Sequence, residues 1–395
     1  MKKSLIALAS GAFALGAAEF VMMGILPQTA RDMRVTIPQA GHFISSYAIG
    51  VCVGTLILVF GRKARPKYLI ASFMILIAVG NGLSALAGSA PMLLLARFIA
   101  GLPHGAFFGT SAYIARSTAD KGREAQAVSI TITGQTLANM LGVPAGTFMA
   151  ENLSWRLAFT ILALWGAATI ILVIRWVPDI PPVPDRGIKG QFHFLRRRGP
   201  WVVLAAVFVG NAGIFCWWSY ISPWLTHVGG WDLGRVSLLM MLAGFGMVVG
   251  GLAGGALCDR WKHAGTAALG QLLASLGLLL VFFLPGSRAV TAILTFLIAF
   301  SLFFVSTPQQ VLMVEVGEGG GELIAGAATQ VAFNFGNAVG STLGGMALNA
   351  SGMDYHYPAL AGTPLALAAF ALLVFYSWRC ETDTDALNRL HPINL

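Results

Sequence analysis

The sequence predicts an all-α membrane protein of twelve transmembrane helices in two six-helix halves. Three observations predict it. Of 395 residues, 56% are hydrophobic and only 10% are charged, with a mean hydropathy of +0.75; a soluble domain carries about 25% charged residues. Apolar runs of about 20 residues, the length a bilayer core requires, recur along the whole chain. The polar pattern Gln135-x3-Asn139 with glycines at 142 and 146 returns in the second half as Gln330-x3-Asn334 with glycines at 336, 340 and 344. A duplicated six-helix unit is how many secondary transporters are built.

The runs fall near 5–30, 37–60, 68–88, 91–115, 125–150, 156–177, 201–226, 234–256, 264–285, 289–314, 323–349 and 357–378. The first follows Lys2-Lys3 and contains Ala7-Leu8-Ala9, a signal-peptide-like start. It is too long for a cleaved leader and further spans follow it, so it reads as an uncleaved first helix. An even number of spans puts both termini on one side. With the N-terminus inside, nineteen of the 25 basic residues fall in cytoplasmic segments, from Lys2 through Arg196-Arg197-Arg198 to Arg389. Five (Arg31, Arg34, Arg156, Arg235, Arg288) fall outside, and Arg97 lies within a span. The positive-inside rule then places both termini in the cytoplasm. The net charge of +9 is thus a topology signal with some attraction to anionic lipid, and nucleic acid is not a partner.

The longest polar stretch, Pro178–Pro200, divides the chain six plus six. The expected organisation is an N-terminal half over 1–178, a cytoplasmic linker over 179–200, a C-terminal half over 201–379 and a tail over 380–395. Within the linker, the segment from Gln191 to Arg198 is short and amphipathic and is expected at the membrane surface. Cys52, Cys216, Cys258 and Cys380 show no paired spacing, so free thiols and no metal site are expected. Glu315, Glu318 and Glu322 bracket the loop between the tenth and eleventh spans and are expected to balance nearby basic loops. No P-loop or H-E-x-x-H sequence and no cluster of catalytic residues argues for an enzyme.

Glu19 lies in the middle of the first run. A charge at mid-bilayer depth costs at least ~2.5 kcal/mol on insertion scales, and such residues face protein or water and mark function. Arg97 and His104 in the fourth span bracket it in depth, two turns apart on one helical face. A carboxylate beside a cation and a titratable ring points to a proton site. A permanent Glu19–Arg97 pair that only clamps helices is the other reading of the same residues.

Several stretches resemble the major facilitator superfamily. Gly255-x3-Asp259-Arg260 is similar to its cytoplasmic loop motif, and Arg97-x3-Gly101 to its fourth-helix motif. Gly134-x7-Gly142-Val-Pro144-Ala-Gly146 resembles the fifth-helix motif of its drug/proton antiporter group. Ala18-Glu19-Phe20 with Gly24-x2-Pro27, and Leu102-Pro-His104-Gly105, resemble its branch of arabinose-, sugar- and purine-efflux permeases. The first-half loop, Gly61-Arg62-Lys-Ala-Arg65-Pro-Lys67, lacks the family's usual aspartate. The resemblance implies the superfamily's twelve-helix fold, a monomer, gating roles for Arg62, Arg65, Gly255, Asp259 and Arg260, and a central cavity lined by the first, fourth, seventh and tenth helices. It also implies that Gly134, Gly142, Pro144 and Gly146 form a smooth surface between the halves. No cofactor is implied beyond a proton gradient as the energy source.

Uncharged polar and aromatic residues mark the candidate substrate positions. They are Gln135 and Asn139 on the fifth span, Asn211, Phe215, Trp218 and Tyr220 on the seventh, Gln309 and Gln310 on the tenth, and Gln330, Asn334 and Asn337 on the eleventh. Amides and rings suit a neutral polar ligand; interhelical amide bonding is the structural alternative. The expected activity is export of a sugar-like molecule, nucleoside or small drug by proton antiport with alternating access. A proton-coupled importer and an uncoupled facilitator of the same fold remain open.

Overall fold

The computed structural model describes residues 2–61, 64–120, 124–181, 193–284, 286–316 and 322–381. The described residues are helical, with no strand among them. The first half contains α1 (Lys2–Gly24), α2 (Leu26–Met33), α3 (Ile37–Gly61), α4 (Pro66–Ala85), α5 (Ala90–Gly101), α6 (His104–Ser117), α7 (Glu124–Leu137), a π-helical turn (Ala138–Gly142), α8 (Val143–Asn152) and α9 (Trp155–Trp176). The second half contains a short 3₁₀ turn (His193–Arg196), α10 (Arg198–Trp218), α11 (Ile221–His227), α12 (Leu233–Cys258), α13 (His263–Phe283), α14 (Arg288–Val316), α15 (Glu322–Ala350) and α16 (Tyr357–Cys380).

Among the described residues these elements form twelve membrane-length rods, because four predicted spans are interrupted. The first breaks at Ile25, the fourth at Leu102–Pro103, the fifth at the π turn and the seventh at Ser219–Tyr220. Among the described residues, nine rods are long and apolar enough by themselves to cross a bilayer.

Local chemistry sets the boundaries. Thr36 and Gln39 form a reciprocal capping box before α3, with Thr36 N donating to Gln39 Oε1 at 2.9 Å and Gln39 N to Thr36 Oγ1 at 3.3 Å. Extended Arg65 and Ser89 are each followed by a proline in the first turn of α4 and α5, where the missing N–H has no intrahelical partner to lose. Ser154 Oγ caps α9 by accepting from Arg156 N. Pro144, directly after the π turn, removes a backbone donor that the regular ladder would have used.

The chain divides into two compact units, one comprising 1–185 and 231–244, the other 186–230 and 245–395. In the first unit, α1 packs on the fifth rod and on α9, α3 on α5, and α4 on α5 and α9. In the second unit the counterparts repeat this: α10 packs on α15 and α16, and α13 on α14 and α16. Burial repeats as well. The apolar window of the first rod is 78% buried and that of the seventh 72%, against 33% for the sixth and 39% for the twelfth. The first and seventh rods are therefore the core of their bundles, and their loss of outward-facing surface is what lets each carry polar groups.

Two of the polar segments read from the sequence have described contacts. The linker's amphipathic segment is described only from His193, and Phe194 is buried among Val203, Leu312, Met313 and Tyr376. Protein packing, together with a Trp201 Nε1 bond to the Leu195 carbonyl at 2.8 Å, holds that turn. Glu315 lies 2.9 Å from His263 Nδ1, so its partner is a histidine at the start of α13, while Glu318 lies outside the described residues.

Candidate functional site

Close backbone crossings assemble the site in the first unit. A Cβ at Gly101 would collide with the Tyr47 carbonyl, and one at Gly54 with the Leu102 carbonyl. These glycines let α3 lie directly on the fourth rod. The helix break at Leu102–Pro103 then starts α6 with His104, beside the Tyr47 ring. Tyr47 and His104 meet edge to face, with centroids 5.9 Å apart and planes at 84°.

Four polar side chains meet in this core. Glu19 on α1 is 4% exposed; its Oε2 lies 3.5 Å from His104 Nε2, and its Oε1 has no hydrogen-bond partner. His104 Nδ1 lies 2.9 Å from the Tyr47 hydroxyl, which is itself 3.3 Å from the Leu15 carbonyl. Arg97 on α5 is 0% exposed, and Nε, NH1 and NH2 all lack hydrogen-bond partners. Its guanidinium carbon sits 4.5 Å over the Tyr47 ring and 5.4 Å from the Phe159 ring of α9.

The three residues expected from sequence are thus brought together. Among the described residues, the polar neighbour of Glu19 Oε2 is His104 Nε2 at 3.5 Å. Arg97 rests on two aromatic faces, an arrangement that rewards a desolvated cation by roughly 2 kcal/mol per ring. Tyr47 was missed, because a tyrosine in an apolar run gives no sequence signal of its own. Its position seven residues before Gly54, with a glycine-rich partner helix, was the available hint.

The antiporter-motif glycines lie against α1. A Cβ at Gly134 would collide with the Ala9 carbonyl, one at Gly142 would lie 3.0 Å from the Phe13 ring, and one at Gly146 would collide with Val21. In return, Gly16 of α1 faces Gln135, and Gly24 faces Thr147. These three glycines therefore pack within the first unit, on the helix that carries Glu19. Pro144 is buried in the first turn of α8. Gln135 is half-buried, and Asn139 on the π turn is 2% exposed with neither amide atom hydrogen-bonded.

The second unit holds the other polar candidates. Asn211 Nδ2 donates to the Val207 carbonyl at 2.8 Å, and Asn334 Nδ2 to the Gln330 carbonyl at 3.0 Å. Their Oδ1 atoms, Asn337 Oδ1, Trp218 Nε1 and Gln309 Nε2 are buried without hydrogen-bond partners. Phe215 meets Phe333 edge to face at 6.1 Å. Tyr220 donates to the Ser341 carbonyl at 2.7 Å, tying the seventh rod to α15. Gln310 is exposed and donates to Ser306 Oγ at 3.3 Å. Among the loop-motif residues, Arg65 pairs with Asp179. Asp259 and Arg260 are exposed in the turn after α12, where Gly255 accepts from Asp259 N at 3.0 Å. Arg62 lies outside the described residues. Cys216 and Cys258 are free thiols.

Twelve rods in two repeated bundles, with an ionisable cluster inside one of them, define a multi-pass membrane transporter. The sequence profile of the Major Facilitator Superfamily matches residues 8–329. The chain belongs to that superfamily, whose members are transporters. It is 39% identical over 377 residues to the Escherichia coli (strain K12) protein named Putative transporter AraJ, covering 95% of each chain. It is 35% identical to Inner membrane transport protein YdhP of the same organism, covering 96% of this chain and 97% of YdhP. The crystal structure of a bacterial homolog of the human lysosomal transporter Spinster, inward-facing and unoccupied, superposes with a TM-score of 0.69 at 17% identity, over 98% of this chain and 97% of that one. That last likeness is one of fold.

Proposed function

We propose that this protein exports a small molecule from the cytoplasm in exchange for protons, by alternating access, with Glu19 as the proton carrier. The observation that carries the reading is the Glu19 carboxylate. It is buried with one oxygen unpartnered and the other facing an imidazole, whereas a purely structural carboxylate has its acceptors satisfied. Arg97, held on rings without a hydrogen-bonded anion, is the counter-charge toward which an ionised Glu19 would turn. His104 receives or returns the proton. The cargo fits a neutral polar molecule, sugar-like, nucleoside or small drug, because the second unit offers buried amide and indole groups with unused hydrogen-bonding atoms and no described buried charge. The glycine motif of the fifth rod, which resembles that of the drug/proton antiporter group, favours export. The protein acts as a monomer in the bacterial inner membrane, with both termini cytoplasmic.

The test is proton flux in proteoliposomes carrying a pH-sensitive dye. Arabinose, other sugars, purine nucleosides and chloramphenicol are offered in turn, with Glu19→Gln as control. A cargo-triggered pH change that Glu19→Gln abolishes is expected. Uphill transport by Glu19→Gln at the normal rate would rule out the carrier role.

A further inference from the structure

One hydroxyl hydrogen in the first bundle has two places to go. Tyr47 Oη lies 2.9 Å from His104 Nδ1 and 3.3 Å from the Leu15 carbonyl. A phenol has a single O–H to donate. A neutral imidazole carries its hydrogen on one nitrogen and accepts at the other, and the partner of each nitrogen decides which. On the far side of the ring, Nε2 faces Glu19 Oε2 at 3.5 Å. The hydroxyl, the ring and the carboxyl form a continuous chain, so the choice at one end fixes the choice at the other.

With a neutral ring, only two arrangements give every donor in the chain an acceptor and both ring nitrogens a hydrogen bond. With Glu19 ionised, Nε2–H donates to the carboxylate, Nδ1 is bare, and the Tyr47 O–H donates to Nδ1. With Glu19 protonated, the carboxyl O–H donates to Nε2, Nδ1–H donates to the Tyr47 oxygen, and the Tyr47 O–H turns to the Leu15 carbonyl. The second arrangement holds one more proton. It can enter at Nδ1 while the hydrogen on Nε2 passes to Glu19, so the ring need not rotate and carries one hydrogen before and after.

We propose that Tyr47 is a positioning residue that couples the protonation state of Glu19 to helix α1, its hydroxyl bonding His104 when Glu19 is ionised and the Leu15 carbonyl when Glu19 is protonated. The inference rests on Glu19 as carrier and adds how its state is read. Leu15 is four residues before Glu19, so its carbonyl is the helical acceptor for the Glu19 N–H. A second bond arriving there loads the turn of α1 that carries the acid, next to Gly16, where α1 rests on Gln135 of the fifth rod. Arg97, stacked 4.5 Å over the Tyr47 ring, holds the ring plane and leaves only the hydroxyl free to turn. The ionisable groups in the cluster are Glu19 from α1, Tyr47 from α3, Arg97 from α5 and His104 from α6; α9 contributes Phe159, and the fifth rod the uncharged Gln135 near α1.

The test needs no cargo. Infrared difference spectra of the full chain in proteoliposomes are taken across a pH titration for wild type, Glu19→Gln and Tyr47→Phe. Wild type should show a carboxyl C=O band that Glu19→Gln removes, and a tyrosine C–O band that changes with the same midpoint. Tyr47→Phe deprives the protonated arrangement of two hydrogen bonds and the ionised one of only one. The carboxyl midpoint should therefore fall by about half to one pH unit, the size expected for one lost hydrogen bond. A midpoint unchanged in Tyr47→Phe, with the band still absent from Glu19→Gln, overturns the switch and leaves the carrier reading intact. A band that persists in Glu19→Gln overturns both. Should Tyr47→Phe fail to insert, 3-fluorotyrosine at position 47 keeps the shape and the hydroxyl but accepts more weakly. It must lower the midpoint in the same direction, and no shift overturns the proposal.

Discussion

Replacing Arg97 with methionine decides between a working proton site and a static helix clamp. The guanidinium is fully buried, none of its three nitrogens has a hydrogen-bond partner, and Tyr47 and Phe159 lie 4.5 and 5.4 Å from it. Burying an ion costs several kcal/mol even after the protein relaxes. Two desolvated cation–π contacts return roughly 4 kcal/mol together, so the charge contributes little net stability. Methionine keeps the length and the contacts to both rings while removing the desolvation cost. Exchange of buried ionic groups for apolar ones of similar volume is neutral or stabilising by about 1–4 kcal/mol. Arg97→Met should therefore unfold in detergent–SDS mixed micelles at the wild-type midpoint or above it. It should also lose proton-driven accumulation while keeping cargo counterflow. If stability instead falls by about 3–5 kcal/mol, the cost of stranding one partner of a buried ion pair, then Arg97 and Glu19 form a permanent clamp and the reasoning fails.

Three further predictions concern the frame. Gly134→Ala forces a methyl into the Ala9 backbone carbonyl, and overpacking of this kind costs about 1–3 kcal/mol; Gly88→Ala, with nothing within 4 Å, is the neutral control in the same unfolding assay. Asp32 accepts from Trp155 Nε1 at 3.0 Å and pairs with Arg156, whose NH2 also donates to the Ala87 carbonyl at 2.8 Å. The Arg156 hydrogen bond holds the Asp32 carboxyl below its ordinary range. Its stabilisation is therefore complete above the unfolded value near 4 and drains away as pH falls through the lower folded value. The pair is partly exposed, so the ion pair itself contributes no more than about 1 kcal/mol. Asp32→Asn should lie below wild type in stability at pH 7, with the gap narrowing as pH falls below about 4, as followed by tryptophan fluorescence. Phe194→Ala empties a buried position among Val203, Leu312 and Met313; a loss of about 3–5 kcal/mol and faster proteolysis at the linker are expected, and proteolysis at the wild-type rate would show that this turn is not an anchor.

Much of the fold was legible because hydropathy is a property of single residues summed along the chain. Twelve apolar runs, the charge bias of the loops and the Gln/Asn/Gly repeat needed no partner to be recognised. Glu19 was legible for the same reason, since a carboxylate in an apolar run is costly wherever the neighbouring helices lie. Pro27, Pro103 and Pro144 marked places where helical hydrogen bonds are lost, but whether each gives a break, a π turn or a bend depends on what packs beside it.

The tertiary structure alone decided the partners. Arg97 and His104 share a helical face, and opposite charge favours Arg97 as the mate of Glu19. Yet the crossing of α3 over the fourth rod at Gly54 and Gly101 inserts Tyr47, which takes up Arg97 on its ring face and His104 at its hydroxyl. The glycines of the fifth rod were legible as a packing surface, but not the helix that occupies it; a missing side chain permits close approach without specifying from which direction. Pairing depends on the relative rotation and depth of three separate helices. No single run of sequence carries that information, because it is fixed only when all their side chains compete for the same interior volume.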